Sequence, residues 1–165
     1  MTNSSQAVTP VTYKGLVSEG YFITLAELRE KLNFSNGTDF QEAVTWIHVE
    51  QDMRQLFIPE QVLCTNVSWK SLSQFDNTII EIGELRYIVR MLDNNEWDNI
   101  LGYLIDKGEL TEDQLSVKFM NGQGSGTWVL DGTIRGYNGI SGEVEVDPLT
   151  STKNYGWRPV LELIK

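Results

Sequence analysis

Two stretches of this 165-residue chain, 44–58 and 78–91, each read as a pair of short β-branched and aromatic runs folded back on themselves. That pattern constrains the fold more than any other. In the first, Val44-Thr45-Trp46-Ile47-His48-Val49 leads through the polar connection Gln51-Asp52-Met53-Arg54 to Leu56-Phe57-Ile58. In the second, Thr78-Ile79-Ile80-Glu81-Ile82 turns at Gly83-Glu84 into Leu85-Arg86-Tyr87-Ile88-Val89-Arg90-Met91. Runs of this length and composition, separated by a few polar residues, form hairpins, so the sheet they build is antiparallel. Pro59 lacks a backbone donor and is expected to stop the first hairpin at an edge.

Helical signatures lie between and after the hairpins. Thr24-Leu25-Ala26-Glu27 is a capping box, Leu25, Leu28 and Leu32 form one apolar stripe, and Asn36-Gly37 is the expected end. Ser68 is placed to cap a short helix through Trp69, Leu72 and Phe75. The longest helix is expected to be capped by Asn94 or Asn95. It carries Trp97, Ile100, Leu101, Leu104 and Ile105 at helical spacing and closes on Lys107 and Gly108. Thr111 and Gln114 make a further capping box for a shorter helix reaching about Phe119.

From Gly122 the character changes, with eight glycines up to Gly156 interleaved with aromatic residues. Short strands are expected at 127–130, 143–146 and 158–164, joined by irregular loops. Residues 1–20 are polar, contain Pro10 and Gly15, and show no clear period, which reads as an extended N-terminal arm, either mobile or docked onto a neighbour. The expectation is an α+β fold: a compact single domain over 21–165 with antiparallel hairpins, two to four short helices and a loop-rich C-terminal β part.

A chain of this length can bury a core without disulfides or metals. Its net charge of −10, with no run of Lys or Arg, repels phosphate backbones and disfavours nucleic acid as a partner. No apolar run approaches the roughly 18 residues of a membrane span. The first residues lack the basic and apolar regions of a secretory signal, so synthesis in a cytoplasm is expected.

Catalytic roles are hard to fill. One histidine, His48, and one cysteine, Cys64, cannot assemble a Cys/His zinc site. Gly122-Gln123-Gly124-Ser125-Gly126 lacks the strand-to-helix setting of a nucleophile elbow and the Lys-Ser/Thr of a phosphate loop, so it reads as a flexible surface loop. Calcium ligands are plentiful in Asp93-Asn94-Asn95-Glu96 and in Asp131, Glu143, Glu145 and Asp147, but without EF-hand spacing. The first cluster reads as a helix cap, and the alternating acids as a solvated strand face. Neither an enzyme nor a cofactor or metal is expected. Among the aromatics, Trp128, Tyr137 and Tyr155 are flanked by glycine and polar residues. With Asn138 they are the expected exposed surface for a ligand or partner.

Several phrases, taken in order, resemble a recurring module of virion structural proteins in tailed bacteriophages. They are Val44-Thr45-Trp46-Ile47 with Leu56-Phe57-Ile58-Pro59, then Val67-Ser68-Trp69-Lys70-Ser71-Leu72 and Arg86-Tyr87-Ile88-Val89-Arg90-Met91-Leu92. Asn95-Glu96-Trp97-Asp98 follows, and Gly156-Trp157-Arg158-Pro159-Val160-Leu161-Glu162-Leu163 closes the chain. The likeness spans residues 20–165. It implies a decoration, tail-fibre or baseplate-associated protein, made in the host cytoplasm and residing in the virion. Its implied partners are other virion proteins, then a host cell-surface glycan or protein, with homo-oligomers among its assemblies. The closing phrase is also similar to C-type-lectin-like modules related to formylglycine-generating enzymes, without their catalytic cysteines. That likeness implies a terminal strand in the central sheet and a binding surface displayed by the loops before it. Two alternatives stand beside the virion reading: a phage-encoded ligand-binding or inhibitory protein using the loop 122–126, and a carbohydrate-active enzyme.

Overall fold

The computed structural model describes residues 10–117 and 123–165. The fold is α+β. In chain order its strands are β1 (Val11–Ser18), β2 (Thr38–Asp39), β3 (Thr45–Gln51), β4 (Arg54–Pro59), β5 (Cys64–Thr65), β6 (Thr78–Ile82) and β7 (Leu85–Met91). After the helices come β8 (Gly126–Trp128), β9 (Thr133–Gly136), β10 (Gly139–Glu145), β11 (Tyr155–Trp157) and β12 (Pro159–Ile164). They form two six-stranded sheets, ordered β1-β3-β4-β12-β7-β6 and β10-β9-β8-β11-β5-β2. All pairings are antiparallel except β11 with β8.

Both expected hairpins form, β3–β4 and β6–β7. Asp52 and Met53 at the tip of the first take φ of 53° and 63°, the left-handed pair that a two-residue connection between twisted strands requires. The capping box of Thr24 opens α1 (Leu25–Leu32), Ser68 caps α2 (Trp69–Ser73), and Thr111 with Gln114 opens α5 (Glu112–Leu115). The long helix is α3 (Asn94–Glu96), a π-helical segment Trp97–Gly102 and α4 (Tyr103–Asp106) in unbroken succession.

Several boundaries differ from expectation. Asn33, at φ 52°, ends α1 before Asn36-Gly37 is reached. Asp93, not Asn94 or Asn95, caps the long helix, because Glu96 stands three residues on and returns the bond. Ser116, left-handed at φ 55°, ends α5 at Leu115, and Phe119 lies outside the described residues. Pro59 and Pro159 sit on the interior strands β4 and β12, not at a sheet edge. Pro59 is the last residue of its strand and Pro159 the first, positions where a missing donor is tolerated.

The extended arm expected over 1–20 is corrected over its described part. Val11–Ser18 is an edge strand of the first sheet, paired along β3, with residues 1–9 outside the described residues. Val11 packs into the core and Tyr13 against it, and a bulge between Tyr13 and Gly15 interrupts the alternation that would have revealed the strand.

The first sheet is buried on both faces along most of its width. Trp46, Val89 and Leu161 face α1 and the second sheet. Ile47, Val49, Leu56, Ile58 and Val160 face Trp97, Ile100, Leu101 and Leu104 of the long helix. Each such fully buried aliphatic or aromatic side chain contributes roughly 1.5–3 kcal/mol, so these two layers of contacts dominate stability. No helix among the described residues is long and apolar enough to cross a membrane.

Candidate functional site

Trp128, Tyr137 and Tyr155 do come together, though not as an open surface. Tyr155 meets Trp128 edge-on at 6.0 Å between ring centroids and Tyr137 at 5.3 Å. Trp128 has no exposed area, and its indole N–H donates to the Val67 carbonyl at 2.9 Å. The expectation of an exposed Trp128 is therefore corrected: it is core. Gly126 makes this packing possible, since a Cβ there would lie 2.7 Å from both Ile134 and Tyr155. Burial, with the Tyr137 phenol beside it, raises the Tyr155 pKa above its ordinary value. Tyr137 and Tyr155 are half-buried and Asn138 is exposed, so the cluster grades from core to surface. The loop read at 122–126 also differs. Gly122 lies outside the described residues, while Gly124, Ser125 and Gly126 are buried.

A second cluster gathers charges that the sequence left scattered. The Arg90 guanidinium grips the Glu96 carboxylate with two bonds, Nη1 to Oε1 and Nη2 to Oε2, both 2.7 Å. Its Nε and Nη2 also donate to Glu162 Oε1 at 3.1 and 3.0 Å. Arg54 reaches the same oxygen at 3.6 Å. Burial alone would lower the Arg90 pKa, but the bonds and charges of Glu96 and Glu162 outweigh it and hold the guanidinium more firmly protonated than usual. Glu96 acts twice. Its backbone N–H donates to Asp93 at 2.7 Å while its carboxylate accepts from the Asp93 N–H at 3.2 Å. The helix cap and the ion pair thus share one side chain.

This network floors a polar cleft of about 340 Å³. Gln51, Asp52 and Arg54 of the first hairpin form one wall, and Asp93, Asn95, Glu96 and Asn99 of the long helix form the other. The cleft lies where the helical layer stops covering the sheet.

Trp97 joins the network to the core. Its indole N–H donates to the Ile140 carbonyl at 2.6 Å, and Arg158 and Arg135 approach its ring at 5.4 and 6.0 Å. Arg135 is well matched, to Asp98 at 2.6 Å and Asn94 at 2.8 Å. Arg158 is not. It is wholly buried and donates from Nη2 to the Leu115 carbonyl at 2.6 Å, but among the described residues Nε and Nη1 have no hydrogen-bond partner. A wholly covered guanidinium needs a carboxylate partner to offset its desolvation. Glu60, hydrogen-bonded instead by Gln114, acts on it only from a distance. Burial pushes the Arg158 pKa down to about 9, which Glu60 only partly opposes.

The remaining chemistry-bearing groups are engaged in structure. His48 stacks on Phe57 at 4.4 Å, and its Nε2 lies 2.6 Å from the Gln55 amide oxygen. Cys64 is buried, and that burial pushes its thiol up to about 12. Asp131 accepts from Thr133 and Asn94. Among the described residues no group of three or more His, Cys, Asp or Glu side chains is placed to hold a metal ion.

Arg90, Glu96, Trp97, Arg158 and Glu162 all belong to the three later phrases quoted from the sequence; Arg90 meets Glu96 and Glu162, and Arg158 meets Trp97. Their types gave no sign of it, because Arg90 and Glu162 stand 72 residues apart. The spacing Asp93-x-x-Glu96 did signal a cap. No protein-family model, curated protein or solved structure matches this chain.

Proposed function

We propose that this chain is a non-catalytic structural module of a tailed-bacteriophage particle, acting through assembly with other virion proteins. The observation that supports the reading is the convergence of its quoted phrases. Residues that form a part-buried ion-pair cluster and a buried cation–π contact must be kept together within each, so their ordered occurrence supports a shared scaffold. The polar cleft beside them is floored by a charge pair already bound together, Arg90 with Glu96. That suits a rigid building block better than a site for turnover. Contact with a host-surface glycan or protein is the secondary part of the proposal. It would use the turn at Asn138 beside Tyr137 and Tyr155, on a C-type-lectin-like scaffold.

Mass spectrometry of purified particles tests the proposal. The protein should be present at stoichiometric copy number. Its absence from particles, with abundant protein left in the infected cell, would overturn it.

A further inference from the structure

Asn36-Gly37 lies in the exposed connection between α1 and β2. The Asn36 side-chain amide makes only a long contact, Nδ2 to Ser71 Oγ at 3.5 Å. The Gly37 N–H has no hydrogen-bond partner among the described residues, because the pairing of β2 with β5 begins one residue later, at Thr38 opposite Thr65. Gly37 cannot be exchanged for a residue with a side chain. Its φ is 85°, and a Cβ would lie 2.8 Å from the Thr65 carbonyl oxygen and 3.2 Å from Cys64 Sγ. The fold therefore keeps an unshielded, unbonded amide nitrogen directly after an exposed asparagine.

Asparagine in that setting is chemically labile. A base in solvent takes the Gly37 N–H proton, the nitrogen attacks Asn36 Cγ, and the Cγ–Nδ2 bond breaks as Nδ2 gains a proton and leaves as ammonia. Water then opens the five-membered imide. Attack at Cγ yields aspartate. Attack at the main-chain carbonyl carbon yields isoaspartate, in which the chain runs on through Cβ and Cγ. One water is consumed and one ammonia released, with no redox step. A cleft of about 250 Å³ lined by Leu32, Phe34, Asn36, Ser71 and Phe75 admits the water.

Arg29 of α1 biases the product. Its Nη1 donates to the Asn36 main-chain oxygen at 2.8 Å and to the Phe34 oxygen at 3.2 Å, while Nε and Nη2 hold Asp39 Oδ1. The guanidinium polarises the residue 36 carbonyl, and a carboxylate formed there is already paired with it. The added methylene then falls between two fixed points. Arg29 holds residue 36, and Gly37 already sits against the Thr65 carbonyl oxygen. We propose that Asn36-Gly37 is a site of spontaneous hydrolytic modification, converted chiefly to isoaspartate, and that the conversion parts β2 from β5 and uncovers Cys64. It goes beyond the virion assignment and does not depend on it.

Peptide mapping by mass spectrometry follows the purified full chain held at mildly alkaline pH. Residue 36 should convert about tenfold faster or more than Asn138, whose glycine is buried at the start of β10 opposite Gly136 and must open before the ring can close. Asn121-Gly122 lies outside the described residues and is followed as its own peptide. Isoaspartate should take a larger share of the product than in the same chain denatured in guanidinium chloride. Anion exchange separates chains converted at residue 36, which carry one more negative charge, from unconverted chains of the same sample. A thiol reagent should label Cys64 in the converted fraction and spare it in the unconverted one, so the comparison needs no variant to fold. Asn36→Gln should block both changes. An amide at 36 that survives while the denatured chain converts overturns the proposal. So does a converted fraction whose Cys64 stays protected, or an isoaspartate share no larger than that of the denatured chain.

Discussion

Arg90 and Glu96 meet through two parallel bonds of 2.7 Å, with side-chain exposures of 15% and 9%. The pair ties the last inward arginine of a strand to the first turn of the long helix. Glu96 cannot leave without also losing the reciprocal half of the capping box, the bond it accepts from the Asp93 N–H. Two stabilising roles on one carboxylate make its removal expensive, because the arginine it leaves behind stays buried.

Glu96→Ala should lower stability by about 2–3 kcal/mol in urea or thermal unfolding, since Arg90 keeps its bonds to Glu162. Glu96→Gln should lose less, since an amide oxygen still accepts the Asp93 N–H. Combining Glu96→Ala with Arg90→Met should show a coupling of at least about 1 kcal/mol, because the double variant leaves no guanidinium short of its Glu96 bonds. A single Glu96→Ala costing under about 1 kcal/mol would remove the clamp as a determinant of the fold.

Arg158 makes the opposite case. Wholly buried, it has one bonded donor arm and two donors without partners among the described residues. Its desolvation penalty, several kcal/mol for an uncompensated ion, is set against one bond to Leu115 and a contact with Trp97 worth about 2 kcal/mol each. Arg158→Met should therefore be no less stable than the parent at neutral pH, and more stable by about 1–2 kcal/mol if the thioether chain packs against Trp97. Equilibrium unfolding decides, and a loss above about 2 kcal/mol would mean that Arg158 is held by more than its bond to Leu115 and its contact with Trp97.

The hairpins and caps were legible in the sequence because they are local. β-branched runs, two-residue turns and Thr-x-x-Glu spacings act over fewer than about ten residues. β2, β5 and β11 were not, since two or three residues cannot display a period, and β1 was hidden by the bulge at Gly15. Trp128 misled for a physical reason. Glycine beside an aromatic reads as a loop, yet Gly126 is needed for close packing, where any side chain would strike Ile134 and Tyr155. The Arg90–Glu162–Arg54 cluster was invisible because register across three strands is a tertiary property.

Cys64 yields a pH prediction. Its folded pKa is raised from 9.0 to about 12, so below pH 9 the buried thiol contributes its full stability. As pH rises from 9 toward 12 the unfolded chain loses that proton first, and the contribution is lost. Relative to Cys64→Ala, the parent should lose stability progressively across that window and hold constant below it. Native protein at pH 8 should also leave the thiol unmodified by a disulfide reagent that labels it fully in denaturant. A pH-independent difference between the two proteins would contradict the burial assigned to this sulfur.

Gly156 offers the sharpest steric test of how the closing phrase sets the second sheet. It sits on β11 between β5 and β8, opposite Thr65 on one side and Thr127 on the other. A Cβ there would run into the Cys64 carbonyl oxygen and lie 2.8 Å from Val62, both on a segment held by sheet pairing. Backbone cannot step aside as a side chain can, so β11 would have to part from β5. Gly156→Ala should cost more than about 3 kcal/mol, or abolish folding at 37 °C. The control is Gly108→Ala, where a Cβ meets nothing within 4 Å and only the left-handed φ of 78° is strained, at roughly 1 kcal/mol. Amide hydrogen exchange separates the two effects. Gly156→Ala should expose the Leu63 amide, which donates to the Trp157 carbonyl at 2.8 Å, while Gly108→Ala should leave it protected. Equal protection in both variants would mean that β5 and β11 do not need this close approach.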